Sequence, residues 1–136
     1  MKIEENYSIK DINSLRINQL AKYFCSIETV EQFLEAIEFS KLKNLPILFI
    51  GEGSNIVFTK DYDGLVIKNN IFGKIEHDER IVEISSGENW HKFVDWSLSN
   101  ERYGLENLAL IPGTVGASPI QNIGAYGKEV SAFIKE

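Results

Sequence analysis

The stretch GLENLALIPGTVGASPIQNIGAYG, Gly104–Gly127, limits what this chain can fold into more than any other part of it. It holds Gly104, Gly113, Gly116, Gly124 and Gly127, half of the chain's ten glycines, and two of its three prolines, Pro112 and Pro119. That punctuation excludes a continuous helix or strand. Its single charged residue is Glu106, whereas the chain as a whole is 25% charged, so it is not an ordinary solvated loop. Nor is it a disordered linker, because Leu105, Leu108, Leu110, Ile111, Val115, Ile120 and Ile123 carry too much apolar surface to stay unpacked. The stretch reads as a backbone that turns repeatedly while lying against something buried. Asn107, Thr114, Ser118, Gln121 and Asn122 add uncharged donors and acceptors. Two readings follow: an amide-presenting cradle for a large ligand with flat and anionic parts, or a tightly wound internal loop with no ligand.

A second glycine-rich stretch lies upstream. Ile47–Ile50 is a continuous apolar run of the kind expected for a strand buried on both faces. It leads into Gly51-Glu52-Gly53-Ser54-Asn55 and then a second apolar, strand-like run, Ile56-Val57-Phe58. Strand followed by glycine-rich turn is an arrangement in which successive amides converge on an anion. A few such bonds, each about 1.5–3 kcal/mol to a charged partner, hold a pyrophosphate without any lysine. The dinucleotide pattern G-x-G-x-x-G fails here because Ile56 stands where the third glycine belongs, and no G-x-x-x-x-G-K-[ST] is present. A plain tight turn is the alternative. On the cradle reading, a Gly53→Val side chain blocks the anion and leaves the fold intact.

The rest of the chain supplies the scaffold. Residues 1–28 carry little pattern beyond a short strand at Tyr23–Ile27. Thr29 with Gln32 three residues on is a capping box that opens a helix, with Val30, Phe33, Leu34 and Ile37 as its apolar face and its end near Lys43–Asn44. After a turn at Asp61–Gly64, strands are expected at Gly64–Lys68, Lys74–His77 and, half-exposed, Arg80–Ser85. Glu88 or Asn89 starts a second helix with Trp90, Phe93, Val94 and Leu98 on its apolar face and Trp96 off it; it ends near Glu101. The order is that of an α+β or mixed α/β domain and not of a doubly wound sheet.

A formal charge of −6 with no basic stripe argues against a nucleic-acid partner. No run approaches the length of a membrane span, and MKIEENYSIKD lacks the apolar core of a signal peptide. The single Cys25 fits a reducing, cytoplasmic setting and reads as a small buried hydrophobe. His77 and His91 have no metal-ligand spacing, so no metal site is expected, and His91 reads as a surface or capping histidine. Ser54 is not in a nucleophile elbow. The residues therefore point to ligand binding without self-contained acid–base chemistry, and no catalytic residue is assigned. The final SAFIKE stops as an apolar segment (Val130, Phe133, Ile134) begins, which reads as a domain left incomplete.

Ile-Gly-Glu-Gly-Ser-Asn-Ile-Val-Phe at 50–58, Gly-Glu-Asn-Trp-His at 87–91 and the whole of Gly104–Gly127 closely resemble, in order and spacing, the UDP-N-acetylenolpyruvoylglucosamine reductases, flavoenzymes of bacterial peptidoglycan synthesis. The resemblance runs from about Asp11 to the last residue. It implies an α+β FAD-binding domain of the vanillyl-alcohol-oxidase type, built of two small α/β subdomains, spanning 1–136 and lacking both its own C-terminal part and a substrate domain. It implies that Gly51, Glu52, Gly53, Ser54, Asn55 and Ile56 wrap the FAD pyrophosphate. It further implies that Ile111, Pro112, Gly113, Gly116, Ala117, Ser118, Ile120, Gln121, Asn122, Ile123, Gly124, Ala125, Tyr126 and Gly127 line the flavin and the rest of the cofactor. At Asn13-Ser14-Leu15 the chain departs from the family's Asn-Thr-Phe opening, so no cofactor contact is carried over there. The implied activity is NADPH-dependent reduction of a UDP-linked enolpyruvyl sugar to UDP-N-acetylmuramate in the cytoplasm. The serine, glutamate and arginine that the family uses on its substrate have no counterpart in these 136 residues, so the chain alone is expected to be inactive. Another flavin oxidoreductase of the same fold, and a binding module without enzyme activity, are the competing readings.

Overall fold

Alternating apolar runs and capped helices give this chain two units, Met1–Ile71 and the residues from Phe72 onward. The structure is a computed structural model that describes residues 1–135. In the first unit a four-stranded sheet is ordered β1-β2-β4-β3, with β1 Glu4–Ser8, β2 Leu20–Ile27, β3 Ile47–Ile50 and β4 Tyr62–Asn69. β1 runs antiparallel to β2, while β2, β4 and β3 are mutually parallel in that order. A 3-10 turn, Ile9–Ile12, follows β1, and helix α1, Val30–Lys43, connects β2 to β3.

Strand alternation splits the sheet's side chains between two cores. One face gathers Ile9, Ala21, Phe24, Ile50, Phe58 and Val66. The other gathers Cys25, Ile27, Leu65 and Ile67 under Ala36 of α1. The α1 cap is the one expected, since Thr29 Oγ1 accepts from Gln32 N–H at 3.3 Å. Gln32 Oε1 in turn accepts from Glu28 N–H, one residue before the amide a capping box serves. Asn44, at φ +51, closes the helix in the left-handed conformation. Its buried face, however, is centred on Ala36 and Ser40, while Val30 and Leu34 are 58% and 60% exposed. Small residues bring the helix axis close to the sheet, so the packing face rotates away from the larger side chains.

Three other expectations are corrected. β3 is an edge strand with Ile47 and Phe49 partly exposed, because β4 covers only one of its sides. Ile56–Phe58 is not a strand; Phe58 is buried in the first core without joining the sheet. Tyr62–Gly64 belongs to β4 and not to a turn. β1 carried no apolar signal because its side chains are half-buried or exposed at the other edge of the sheet.

Cys25 is fully buried, and burial pushes its thiol up to about 11 from 9.0 by disfavouring the thiolate. The unfolded thiol ionises first, so stability falls as pH rises from about 9 towards 11, by up to about 1.4 kcal/mol per pH unit. Urea titrations of the wild type and Cys25→Ala across that range check this, since only the wild type should show the extra slope. Equal slopes in the two proteins would refute it.

The second unit contains a hairpin of β5 Lys74–Glu76 with β6 Val82–Ile84, helix α2 Trp90–Ser99, 3-10 turns at Glu106–Leu108, Val115–Ala117 and Val130–Ala132, and a small hairpin of β7 Gly124–Ala125 with β8 Lys128–Glu129. Asn89 caps α2, its Oδ1 accepting from Lys92 N–H at 2.8 Å. Trp90 and Val94 bury the expected face against Leu105, Leu108, Ile123 and Val130. Trp96, off that face, stacks on Phe93 and lies beside the Arg102 guanidinium.

Candidate functional site

In the first unit the glycine-rich turn begins where β3 ends, at the carboxyl edge of the parallel strands, the position where open α/β sheets hold ligands. Gly53 sits at φ +67 and is required there, but for a reason other than ligand approach. A Cβ on it would lie 2.2 Å from the Ile12 carbonyl oxygen and 2.9 Å from Asn13 Cα. The Gly53 carbonyl accepts from Ser14 N–H at 3.1 Å. The chain's own backbone therefore occupies the side of Gly53 on which a side chain would stand. Asn13, 4% exposed, fixes the gripping segment: its Nδ2 donates to the Ile9 and Ile17 carbonyls, and its Oδ1 accepts from Ile17 N–H. Sequence reasoning left Asn13 without a role.

The amides of Gly53, Ser54 and Asn55 donate to no carbonyl or side chain among the described residues. Backbone donors left over in a turn of this kind suit an anion. Lys68 was also missed. It follows the buried run Leu65–Ile67 on β4, pairs in register with Ile50, and its Nζ donates to the Gly51 carbonyl. The signal was present in the sequence: GLVIK places one cation at the end of an otherwise apolar strand.

In the second unit much of the Gly104–Gly127 backbone is hydrogen-bonded to the unit's own carbonyls. Val115 N–H donates to Glu88 O, Gly116 N–H to Ser86 O, Ala117 N–H to Thr114 O and Ser118 N–H to Val115 O. Gln121, Asn122 and Ile123 donate to Ala117, Pro119 and Ser118 carbonyls. Gly116 is needed because a Cβ would meet Ser86 Cβ at 2.6 Å. Those seven amides are consumed by the fold. Gly113, Ser118 and Ile123 are buried in this fabric; Ile111, Gly116, Ala117, Gln121 and Ala125 are half-buried. Pro112, Ile120, Asn122, Gly124, Tyr126 and Gly127 are exposed.

What the stretch turns outward is apolar: Leu110, Ile120 and Tyr126 are 75%, 85% and 89% exposed. Tyr126 and Gly127, at φ +50 and +76, form the two-residue turn of the β7–β8 hairpin, the pairing expected of a type I′ turn. Beside it Asn122, Gly124, Ala125 and Gly127 join Lys128 and Glu129 around an open hollow of about 450 Å³. His91 Nδ1 accepts from Leu110 N–H at 3.3 Å. Glu106 accepts from Gly104 N–H through both carboxylate oxygens at 2.9 Å, which holds its carboxyl below the usual range.

Comparison with known proteins adds three findings. A family described as the FAD binding domain matches residues 21–136. The chain is 49% identical over 125 residues to the UDP-N-acetylenolpyruvoylglucosamine reductase of Burkholderia multivorans, and 46% identical over 128 residues to that of Escherichia coli K12. Those matches cover 89% and 92% of this chain but only 36% and 37% of the relatives, so the chain spans little more than a third of their length. Among solved structures, the crystal structure of UDP-N-acetylenolpyruvylglucosamine reductase from Thermus caldophilus aligns with a TM-score of 0.75 at 24% identity, over 96% of this chain and 46% of that one. At that identity the likeness establishes the α+β fold.

Proposed function

This chain belongs to the FAD-binding domain family, and on that premise we propose that it is the FAD-binding part of a UDP-N-acetylenolpyruvoylglucosamine reductase. The reaction so assigned is the NADPH-dependent conversion of UDP-N-acetylglucosamine enolpyruvate to UDP-N-acetylmuramate, a cytoplasmic step of peptidoglycan synthesis. Among the described residues no helix is long and apolar enough to cross a membrane. The observation that carries the reading is the family match over residues 21–136, which contains both glycine-rich stretches.

The first turn fits a diphosphate: the amides of Gly53, Ser54 and Asn55 have no partner among the described residues. Gly51–Ile56 are assigned to the pyrophosphate. The assignment of Ile111–Gly113, Gly116–Ser118 and Ile120–Gly127 to the flavin and the rest of the cofactor rests more on exposed Ile120 and Tyr126 than on amides. FAD, when bound, supplies a two-electron carrier between NADPH and the enolpyruvyl double bond. The residues of this chain bind and orient it, and none is assigned a proton transfer.

The purified chain is expected to take up FAD with quenching of flavin fluorescence. It is expected to oxidise no NADPH when UDP-linked enolpyruvyl sugar is added. Failure to retain any FAD would overturn the cofactor assignment, and substrate-dependent NADPH oxidation would overturn the division of labour.

A further inference from the structure

A turn meant to receive a diphosphate has an electrostatic difficulty in this chain. Glu52 stands within it, and the whole chain carries −6. A carboxylate and an uncompensated carbonyl oxygen both repel phosphate oxygens, and repulsion between charges is strong where water is partly excluded. The structure places a cation at this point. Lys68 emerges from the carboxyl end of β4, half-buried, and donates from Nζ to the Gly51 carbonyl, the first acceptor of the turn. Burial lowers the Lys68 ammonium from its ordinary value, while the nearby Glu52 carboxylate acts in the opposite direction. The central position of β4, between β2 and β3, makes this placement rigid.

We propose that Lys68 is a positioning residue for anion binding: it holds the Gly51 carbonyl and offsets the Glu52 charge, so that the Gly51–Asn55 turn accepts the diphosphate of a flavin or adenine dinucleotide. This rests on the assignment of that turn to the FAD pyrophosphate. A lysine here does not replace the amides. It removes the two features that would oppose them.

The test is binding of FAD, ADP and riboflavin to the wild-type chain and to Lys68→Met, Lys68→Gln and Lys68→Arg. Circular dichroism and thermal melts run alongside. Lys68→Met is expected to weaken FAD and ADP about tenfold or more, to leave riboflavin, which lacks the diphosphate, within about twofold, and to flatten the salt dependence of ADP binding. Lys68→Gln keeps a donor to Gly51 without the charge and should fall between, and Lys68→Arg should retain most of the affinity. If Lys68→Met misfolds, the Gln and Arg pair and their salt slopes decide the matter. Unchanged ADP affinity in the Met or Gln variant, or equal losses for ADP and riboflavin, would overturn the proposal. If the wild type binds neither FAD nor ADP, the cofactor assignment itself fails and the role of Lys68 falls with it.

Discussion

Trp90→Ala is expected to destabilise the unit that starts at Phe72 by about 3–5 kcal/mol, the range for deleting a large buried aromatic side chain. Trp90 is 2% exposed and sits at the centre of a core made with Val94, Leu105, Leu108, Ile123 and Val130. Its indole Nε1–H donates to the Leu108 carbonyl at 2.7 Å, and its backbone N–H to Gly113 O at 2.9 Å. The side chain thus ties the start of α2 to the beginning of the glycine-rich stretch. Removing it opens a cavity and leaves the buried Leu108 carbonyl without its donor. Trp90→Phe fills much of the volume and loses only the donor, so a cost of about 1–3 kcal/mol is expected. Trp96, the chain's other tryptophan, remains as the fluorescent reporter in a urea titration. A loss below about 1 kcal/mol for Trp90→Ala would show that this core tolerates collapse and that the indole is not its keystone.

Gly53→Ala is expected to lose at least about 2 kcal/mol of stability, because its left-handed backbone alone accounts for about 1–2 kcal/mol in a non-glycine residue. The steric contact adds to this. With Cβ 2.2 Å from the Ile12 carbonyl oxygen, either the turn or the Asn13–Ser14 segment that binds it must move. Gly53→Val should be worse, and its circular dichroism should show loss of the first unit's structure. Loss of FAD binding in a Gly53 variant therefore reports on folding, and Lys68 substitutions are the sharper probe of the anion site. Urea denaturation followed by circular dichroism checks the expectation. A Gly53→Ala protein within about 0.5 kcal/mol of wild type would mean that the Ile12–Ser14 grip yields easily.

Much of the scaffold was legible because it is encoded locally. Thr29 with Gln32, Asn89 before Trp90, and the apolar runs Ile47–Ile50 and Leu65–Ile67 each declare an element within a few residues, through capping bonds and side-chain spacing. The family motifs were legible for the same reason. The buried face of α1 was not, because Ala36 and Ser40 are chosen by how closely the sheet lets the helix approach, and a hydrophobic tally of α1 alone favours Val30 and Leu34.

The sequence alone determined that two glycine-rich stretches exist, that they lie in an α+β frame, and that they match a flavin-binding family. Only the tertiary structure decided what each stretch does with its backbone. An amide is available to a ligand only if no carbonyl elsewhere in the fold has claimed it. The claimants are distant in the chain: Ser86 takes the amide of Gly116, while the Ile12–Ser14 segment fills the space beside Gly53. Gly53 and Gly116 mark where a backbone comes close to something. Whether that something is a cofactor or the protein itself depends on contacts between residues far apart in sequence.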